Sequence, residues 1–257
     1  MAIGATLCST TALAHDVWLM PSSTVLSKAD WITVDAAVSN DLFHFNHAPL
    51  RLDNLQVTAP DGSKLSPENA QQGKLRSVFD LNLKQSGTYR IAVTHEGLSA
   101  RWEEDGKRKR WRGKVADFDK AVPAHPAKLE VTDGLSRVET YVTVGKPGQQ
   151  AAPSRGLAYV PVTHPNDWVV DEATVLSFTL DGQPIEGLEV VAMPGNSRYR
   201  DTPIEIKGVT DATGKVSLQW PAAGMYWVHA SHQDQKTSHP KSKERRLSYS
   251  GTFEVLP

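Results

Sequence analysis

This 257-residue sequence has little cysteine, a small net charge and few long apolar runs. Cys8 is the single cysteine. Because it lies in a segment that we expect to be removed, the remaining chain can form neither a disulfide nor a thiolate metal site. The formal net charge of -1 gives no general attraction to nucleic acid, so we expect no nucleic-acid partner. No later stretch reaches the roughly 20 apolar residues of a transmembrane helix, so we expect no transmembrane segment.

Motifs of the common enzyme classes are also missing. The sequence has no Gly-x-Ser-x-Gly, no His-Glu-x-x-His, no P-loop and no dinucleotide fingerprint. Its many Asp and Glu residues show no pairing that would indicate acid–base catalysis. We therefore expect a protein that is not an enzyme and has no catalytic residues.

The N-terminal segment predicts export. Residues 1–14 carry no charge and end in Ala12-Leu13-Ala14, a small-x-small pattern that signal peptidase recognises. We expect cleavage after Ala14, which would release a soluble periplasmic protein that begins at His15.

Alternating apolar residues and tight turns predict an all-β fold. Strands are expected at residues 31–38, 52–58, 77–83, 88–94 and 138–144, and again at 173–180, 188–193, 216–220, 224–230 and 250–256. One short helix is expected around residues 114–121. The polar Pro/Gly segment 148–156 divides the strands into two groups. The prediction is two tandem antiparallel β-sandwiches of the immunoglobulin or prealbumin-like kind, over 15–147 and 157–257.

Two strands begin alike. Gly87-Thr88-Tyr89 and Gly224-Met225-Tyr226 both enter an apolar strand, and each glycine is followed eight residues later by a histidine, His95 or His232. Duplication of one sandwich would explain this similarity, and so would chance resemblance of two short strands.

A histidine at a free N-terminus is a metal chelator. The α-amine and the Nδ1 atom of His15 would close a six-membered ring around a transition metal, and a metal can displace the proton of this amine near neutral pH. One further imidazole would complete a three-nitrogen histidine brace, which suits Cu(II) and also Ni(II). The alternative is that the predicted cleavage site merely happens to precede a histidine.

The further imidazole is expected from His44 or His47, which lie three residues apart. This spacing places them on opposite faces of a strand, whereas on a turn they could converge. Phe43 and Phe45 would shield one side of such a site. Either histidine could instead be an ordinary polar surface residue.

The remaining histidines favour structural roles. In the strand Met225–Ala230, Tyr226 and Val228 are expected to face inward, so that Trp227 and His229 share the other face. The basic segment 107–114 follows the acidic Glu103-Glu104 across an Asp-Gly turn. This arrangement predicts a solvated hairpin with cross-strand charge pairs, although a partner contact there stays open.

The start of the predicted mature chain resembles that of a known family. The segment 14–22, AHDVWLMPS, is similar to the N-terminal signature of the DUF4198 family, and the resemblance continues at 34–43, His47, 137–140, 181–184, 210–214 and 221–226. Members are described as periplasmic components of nickel or cobalt uptake related to the NikM type. The resemblance implies metal handling, a β-sandwich module, and metal ligation by His15 and His47. NikM-type relatives carry transmembrane helices, so a permease role is not expected here.

Three functions remain open on the sequence. The first is a soluble metal-binding accessory for uptake or handling of Ni, Co or Cu, working with a membrane transporter. The second is a structural or partner-binding envelope module that works with an outer-membrane receptor of the TonB type. The third is a histidine-brace copper oxidase.

Overall fold

The computed structural model describes residues 15–196 and 204–257. The predicted signal peptide, residues 1–14, lies outside the described residues. Among the described residues, the first half of the chain contains eleven strands and one short helical segment. The strands are β1 Asp16–Pro21, β2 Val25–Leu26, β3 Asp30–Ser39, β4 Ala48–Pro49, β5 Leu55–Thr58, β6 Lys64–Leu65, β7 Glu68–Gln72, β8 Ser77–Leu83, β9 Gly87–Glu104, β10 Lys107–Gly113 and β11 Ala127–Val144.

The second half contributes nine strands among the described residues. They are β12 Leu157–Pro161, β13 Trp168–Val169, β14 Ala173–Leu180, β15 Gln183–Pro184, β16 Glu189–Pro194, β17 Ile206–Val209, β18 Lys215–Gln219, β19 Gly224–Asp234 and β20 Arg245–Leu256. The predicted β class is confirmed. The expected short helix is a 3-10 turn, Val115–Asp117, that continues into the four-residue α1, Phe118–Ala121. Within the described ranges no helix is long and apolar enough to cross a bilayer.

The strands form three sheets. The first has the order β1-β3-β8-β7, with β4 also paired to β3. The second, with eleven strands, has the order β17-β16-β19-β20-β11-β9-β5-β6, with β2, β10 and β13 alongside. The third has the order β12-β14-β15, with β18 paired to β14. Most pairs are antiparallel, but β11 and β20 run parallel from Asp133/Arg245 to Thr140/Thr252.

Burial alternates along the strands as the apolar pattern predicts. In β8, every odd-numbered residue from Ser77 to Leu83 is buried, and every even-numbered one is only partly buried. Half-buried sheets require this period of two, because successive side chains point to opposite faces.

Two large apolar clusters correspond to the two halves of the chain. The first gathers residues from Leu19 to Val144, and the second gathers residues from Leu157 to Val255 together with Tyr141. The eleven-stranded sheet runs through both halves, because β11 pairs with β9 on one side and with β20 on the other. The division into two tandem sandwich domains with a linker at 148–156 therefore stays a prediction, and the sheet is continuous across it.

The two Gly-x-Tyr strand entries adopt the same local structure. The hydroxyl of Tyr89 donates to the carbonyl of Gln85 at 3.1 Å, and that of Tyr226 donates to the carbonyl of Ala222 at 2.9 Å. Gly87 and Gly224 have φ angles of 129° and 131°. Both are corners of the kind that a tyrosine hydroxyl closes in Greek-key sandwiches. The two similar sequences thus adopt similar local structures, which both duplication and chance similarity would explain.

The basic segment forms the predicted hairpin. β10 pairs with the end of β9 across the turn at Asp105-Gly106, with Lys107 opposite Glu104. Lys109 forms an ion pair with Glu104 at 3.7 Å. The inner face of this arm, formed by β10 and the end of β9, packs into a small apolar cluster around Phe118 of α1.

Candidate metal site

Strand pairing brings the two candidate ligands of the start motif together. β1 and β4 flank β3 on opposite sides, with Val17 opposite Val38 and Ala48 opposite the same residue. His15 and His47 immediately precede these two flanking strands. Both histidines therefore lie at one end of the first sheet, and their imidazole rings stack with centroids 3.8 Å apart and an interplanar angle of 17°.

The loop between β3 and β4 is held by its own hydrogen bonds. The amide of Asn40 donates to the Asn46 side-chain oxygen at 2.9 Å, and the Asn46 side-chain nitrogen donates to Asp41 Oδ2 at 2.6 Å. The backbone amide of His44 donates to the carbonyl of Asp41 at 3.1 Å. These bonds fix the path of the loop up to His47.

An aromatic cluster lies beneath this loop. Trp18 is fully buried, its indole N–H donates to Ser39 Oγ at 2.8 Å, and its ring centroid lies 5.4 Å from those of both Phe43 and Phe45. Trp227 of β19 donates through its indole N–H to the carbonyl of Val17 at 2.9 Å. Phe43 and Phe45, which were expected to shield one side of the site, thus pack against Trp18. The hydrogen bond from Trp227 anchors β1 to the large sheet.

A partly buried carboxyl group follows His15 at the start of β1. Burial, and secondarily the negative charge of Asp41, raise the pKa of Asp16 to about 6. Burial disfavours the charged form of a carboxyl group, and a second carboxylate nearby has the same effect. Sequence reasoning did not single out Asp16, although its place beside His15 in the start motif was an available signal.

The third predicted ligand does not join the stack. His44 lies half-buried in the loop, between Phe43 and Phe45, while the stack is made by the two exposed histidines His15 and His47. Over residues 15–196 and 204–257, no group of three or more His, Cys, Asp or Glu side chains is arranged to hold a metal ion. A site at this end of β1 would therefore need a donor beyond these side chains, and the α-amine of a processed His15 is such a donor.

The stacked rings also constrain how a metal would bind. An imidazole lone pair lies in the plane of its ring, so two nearly parallel rings have no shared in-plane position for one ion. At least one ring must turn about its side-chain bonds before both can bind the same metal. Both residues are exposed, which leaves room for that turn.

Two other histidines are occupied by structural contacts, as expected for His229. Its ring stacks on that of Trp227 at 4.9 Å, its Nδ1 lies 3.2 Å from Ser250 Oγ, and burial lowers its pKa. His164 accepts a hydrogen bond at Nδ1 from the amide of Asn166 at 3.2 Å and contacts Thr88 Oγ1 through Nε2 at 2.8 Å.

The chain belongs to the DUF4198 family, described as a domain of unknown function, whose model matches residues 12–234. The predicted resemblance is confirmed at this level, and the family description assigns no activity. A comparison with curated proteins gives no match.

Three solved structures show a distant similarity to this chain. A DUF4785 family protein from Legionella pneumophila is 10% identical, with a TM-score of 0.26, over 82% of this chain and 50% of its own. The chain thus spans half the length of that structure. The D0–D1 domain of intimin is 12% identical, with a TM-score of 0.23, over 93% and 97% of the two chains. A marsupial T cell receptor is 9% identical, with a TM-score of 0.21, over 95% and 72%. Likenesses this distant carry no argument about function.

Proposed function

We propose that this protein binds a divalent transition metal at the N-terminal end of β1, with His15 and His47 as ligands. The observation that supports the proposal is the contact between the two imidazoles, whose centroids lie 3.8 Å apart. These are the two positions that the family resemblance marks as ligands.

The coordination that we propose uses three nitrogens from two residues. Cleavage after Ala14 would free the α-amine of His15, which would chelate the metal together with Nδ1 of the same residue. His47 would then supply the third nitrogen. Neutral nitrogen donors suit Cu(II), Ni(II) and Co(II), and the Irving–Williams order makes copper the tightest binder in a test tube whichever ion is biological.

The physiological role that we propose is a periplasmic accessory in metal uptake or handling. Both rings are exposed, so a partner could reach the ion directly, whereas a storage or structural site is usually closed. A membrane transporter or a TonB-type receptor would be the partner that receives or supplies the metal. NikM-like uptake of nickel or cobalt is one form of this role.

The test compares two forms of the protein by calorimetric titration with Cu(II), Ni(II) and Co(II). One form begins at His15 with a free α-amine, and in the other form this amine is acetylated, so that it can no longer donate to a metal. We expect tight one-to-one binding by the first form alone. Equal affinity of the two forms would place the metal elsewhere and refute the proposed site.

Two substitutions refine the test. His47→Ala should weaken binding at least about tenfold, because one of three ligands is lost. His125→Ala, which removes an exposed histidine elsewhere, is the matched control and should leave the affinity unchanged. Electron paramagnetic resonance of the copper-loaded form that begins at His15 should show coupling to three nitrogens, and coupling to fewer nitrogens would contradict the proposed ligand set.

A further inference from the structure

A second, separate feature of the molecule is a groove of about 590 Å³ near the end of β10. Its walls carry five basic side chains from four different parts of the chain, Arg51, His95, Arg112, Lys114 and Arg246, and two acidic ones, Asp53 and Glu96. None of the residues that form the His15/His47 stack lines it.

The floor of the groove is backbone. Gly97 of β9 lies opposite Gly134 of β11 in the sheet register, and a Cβ on Gly97 would lie 2.3 Å from the carbonyl oxygen of Gly113. The close approach of β10 to β9 therefore requires glycine at position 97.

Unlike position 97, position 134 does not require glycine for packing. Its φ is not positive, and a Cβ there would meet only the Gly97 carbonyl oxygen at an ordinary 3.7 Å. Glycine inside a strand costs about 0.5–1 kcal/mol relative to alanine. What the missing side chain does provide is open space at the floor of the groove, which Gly134 itself lines.

The charge of the groove is positive after its ion pairs are taken into account. Arg51 pairs with Asp53 at 2.7 Å, Arg246 pairs with Glu244 at 2.5 Å, and the lining residue Glu96 pairs with Arg155 at 2.5 Å. Among the described residues, Arg112 and Lys114 form no ion pair. Two cations thus remain uncompensated at one end of the groove.

The charges that act on His95 indicate that Arg51 and Arg112 face a common space. Burial lowers the pKa of His95, and so, in second place, does the positive charge of Arg51, with a smaller effect of the same sign from Arg112. Asp53 acts in the opposite direction. Arg51 comes from the loop after β4 and Arg112 from β10, so two distant segments of the chain direct positive charge at the same histidine.

We propose that this groove binds a small organic dianion, a phosphate monoester or a dicarboxylate, whose charged group lies between Arg112 and Lys114. Two uncompensated cations match two negative charges, and a guanidinium binds either oxyanion through paired hydrogen bonds. A volume of about 590 Å³ holds a small molecule, and the open floor at Gly134 accommodates its uncharged part.

The test is a titration of the full folded protein with inorganic phosphate and, separately, with succinate, at low ionic strength where screening is weak. The readout is the chemical shift of the backbone amides of Gly97 and Gly134. We expect saturable shifts for at least one anion, and the tighter of the two identifies the charged group of the ligand. No saturable shift with either anion would overturn the proposal.

Three variants locate the site. Arg112→Gln should weaken binding about tenfold, since one charge-assisted hydrogen bond is worth about 1.5 kcal/mol or more. Arg108→Gln is the matched control, because it removes an exposed arginine of the same strand that does not line the groove, and it should leave the affinity unchanged. Gly134→Val should abolish binding by filling the floor, and its unfolding transition will show that the fold is kept. Equal weakening by Arg108→Gln and Arg112→Gln, or unchanged binding in Gly134→Val, would refute the site.

Discussion

Arg137 and Glu139 form a buried charge pair whose removal should reveal a large coupling. Glu139 has no exposed surface, and its Oε1 lies 3.6 Å from Nη1 of Arg137, which is 9% exposed. The hydroxyl of Tyr141 donates to the other carboxyl oxygen at 2.9 Å. At this separation and an effective dielectric constant of about 20, the attraction is about 4–5 kcal/mol.

The perturbation is Arg137→Met, which keeps the apolar stem and removes the charge. It leaves Glu139 buried without its cation, and we expect the free energy of unfolding to fall by about 3 kcal/mol or more. In Arg137→Met/Glu139→Gln no charge remains buried, so most of that loss should be recovered. Urea denaturation followed by tryptophan fluorescence measures all forms.

The exposed pair of Arg51 and Asp53 is the control, because its side chains retain 72% and 61% of their exposure. Arg51→Met should change stability by less than about 1 kcal/mol. If the double variant at 137 and 139 is as unstable as the sum of its single variants, the two charges are not coupled and the reasoning from their distance is wrong.

Three further predictions concern stability. Arg245→Met should cost about 2–3 kcal/mol at neutral pH, because Arg245 bonds Asp181 at 2.8 Å and Asp234 at 2.9 Å. Its hydrogen bonds lower the pKa of both carboxyl groups, so this stabilisation is fully present above their unfolded pKa of about 3.9 and is lost as the pH falls through their lowered folded pKa. The difference in stability between the wild type and the variant should therefore shrink progressively below about pH 3.9, and a constant gap would contradict the assignment. Tyr226→Phe should cost about 1 kcal/mol through loss of the hydroxyl bond to Ala222, measured as a lower urea midpoint; no shift would show that the corner is not stabilising. Gly97→Ala should cost about 2 kcal/mol or more through its clash with the Gly113 carbonyl, and a stability equal to the wild type would contradict the packing of β10.

Several strands with an apolar face were predicted, but β1 and β12 were not, although both contain buried apolar residues. Strands defined only by backbone pairing were also missed. β8 and β14 have the predicted bounds, 77–83 and 173–180. β7 was missed because all five of its residues, Glu68–Gln72, are exposed and four of them are polar, so that hydrogen bonds to β8 define the strand. β9 and β11 extend well beyond the predicted segments, since their outer halves pack on the local cluster around Phe118.

For the candidate site, the sequence indicated which residues could be ligands, but it indicated only in part which of them lie close together. The residue types at His15, His44 and His47 indicated a nitrogen-ligand site, but their spacing left open which of them would meet. The pairing of β1 and β4 with β3 joins His15 to His47, while the loop hydrogen bonds keep His44 half-buried.

By itself, the sequence determined the β character of the chain, the two Gly-x-Tyr strand entries and the short list of possible ligands, because these depend on local pattern and residue chemistry. Tertiary structure alone decided the burial of Asp16 near Asp41, the run of one sheet through both halves, and the meeting of Arg51 with Arg112 at one groove. Each of these depends on strand register between distant segments. Register is set by the sum of many backbone hydrogen bonds and packed side chains, and no single stretch of sequence contains that sum.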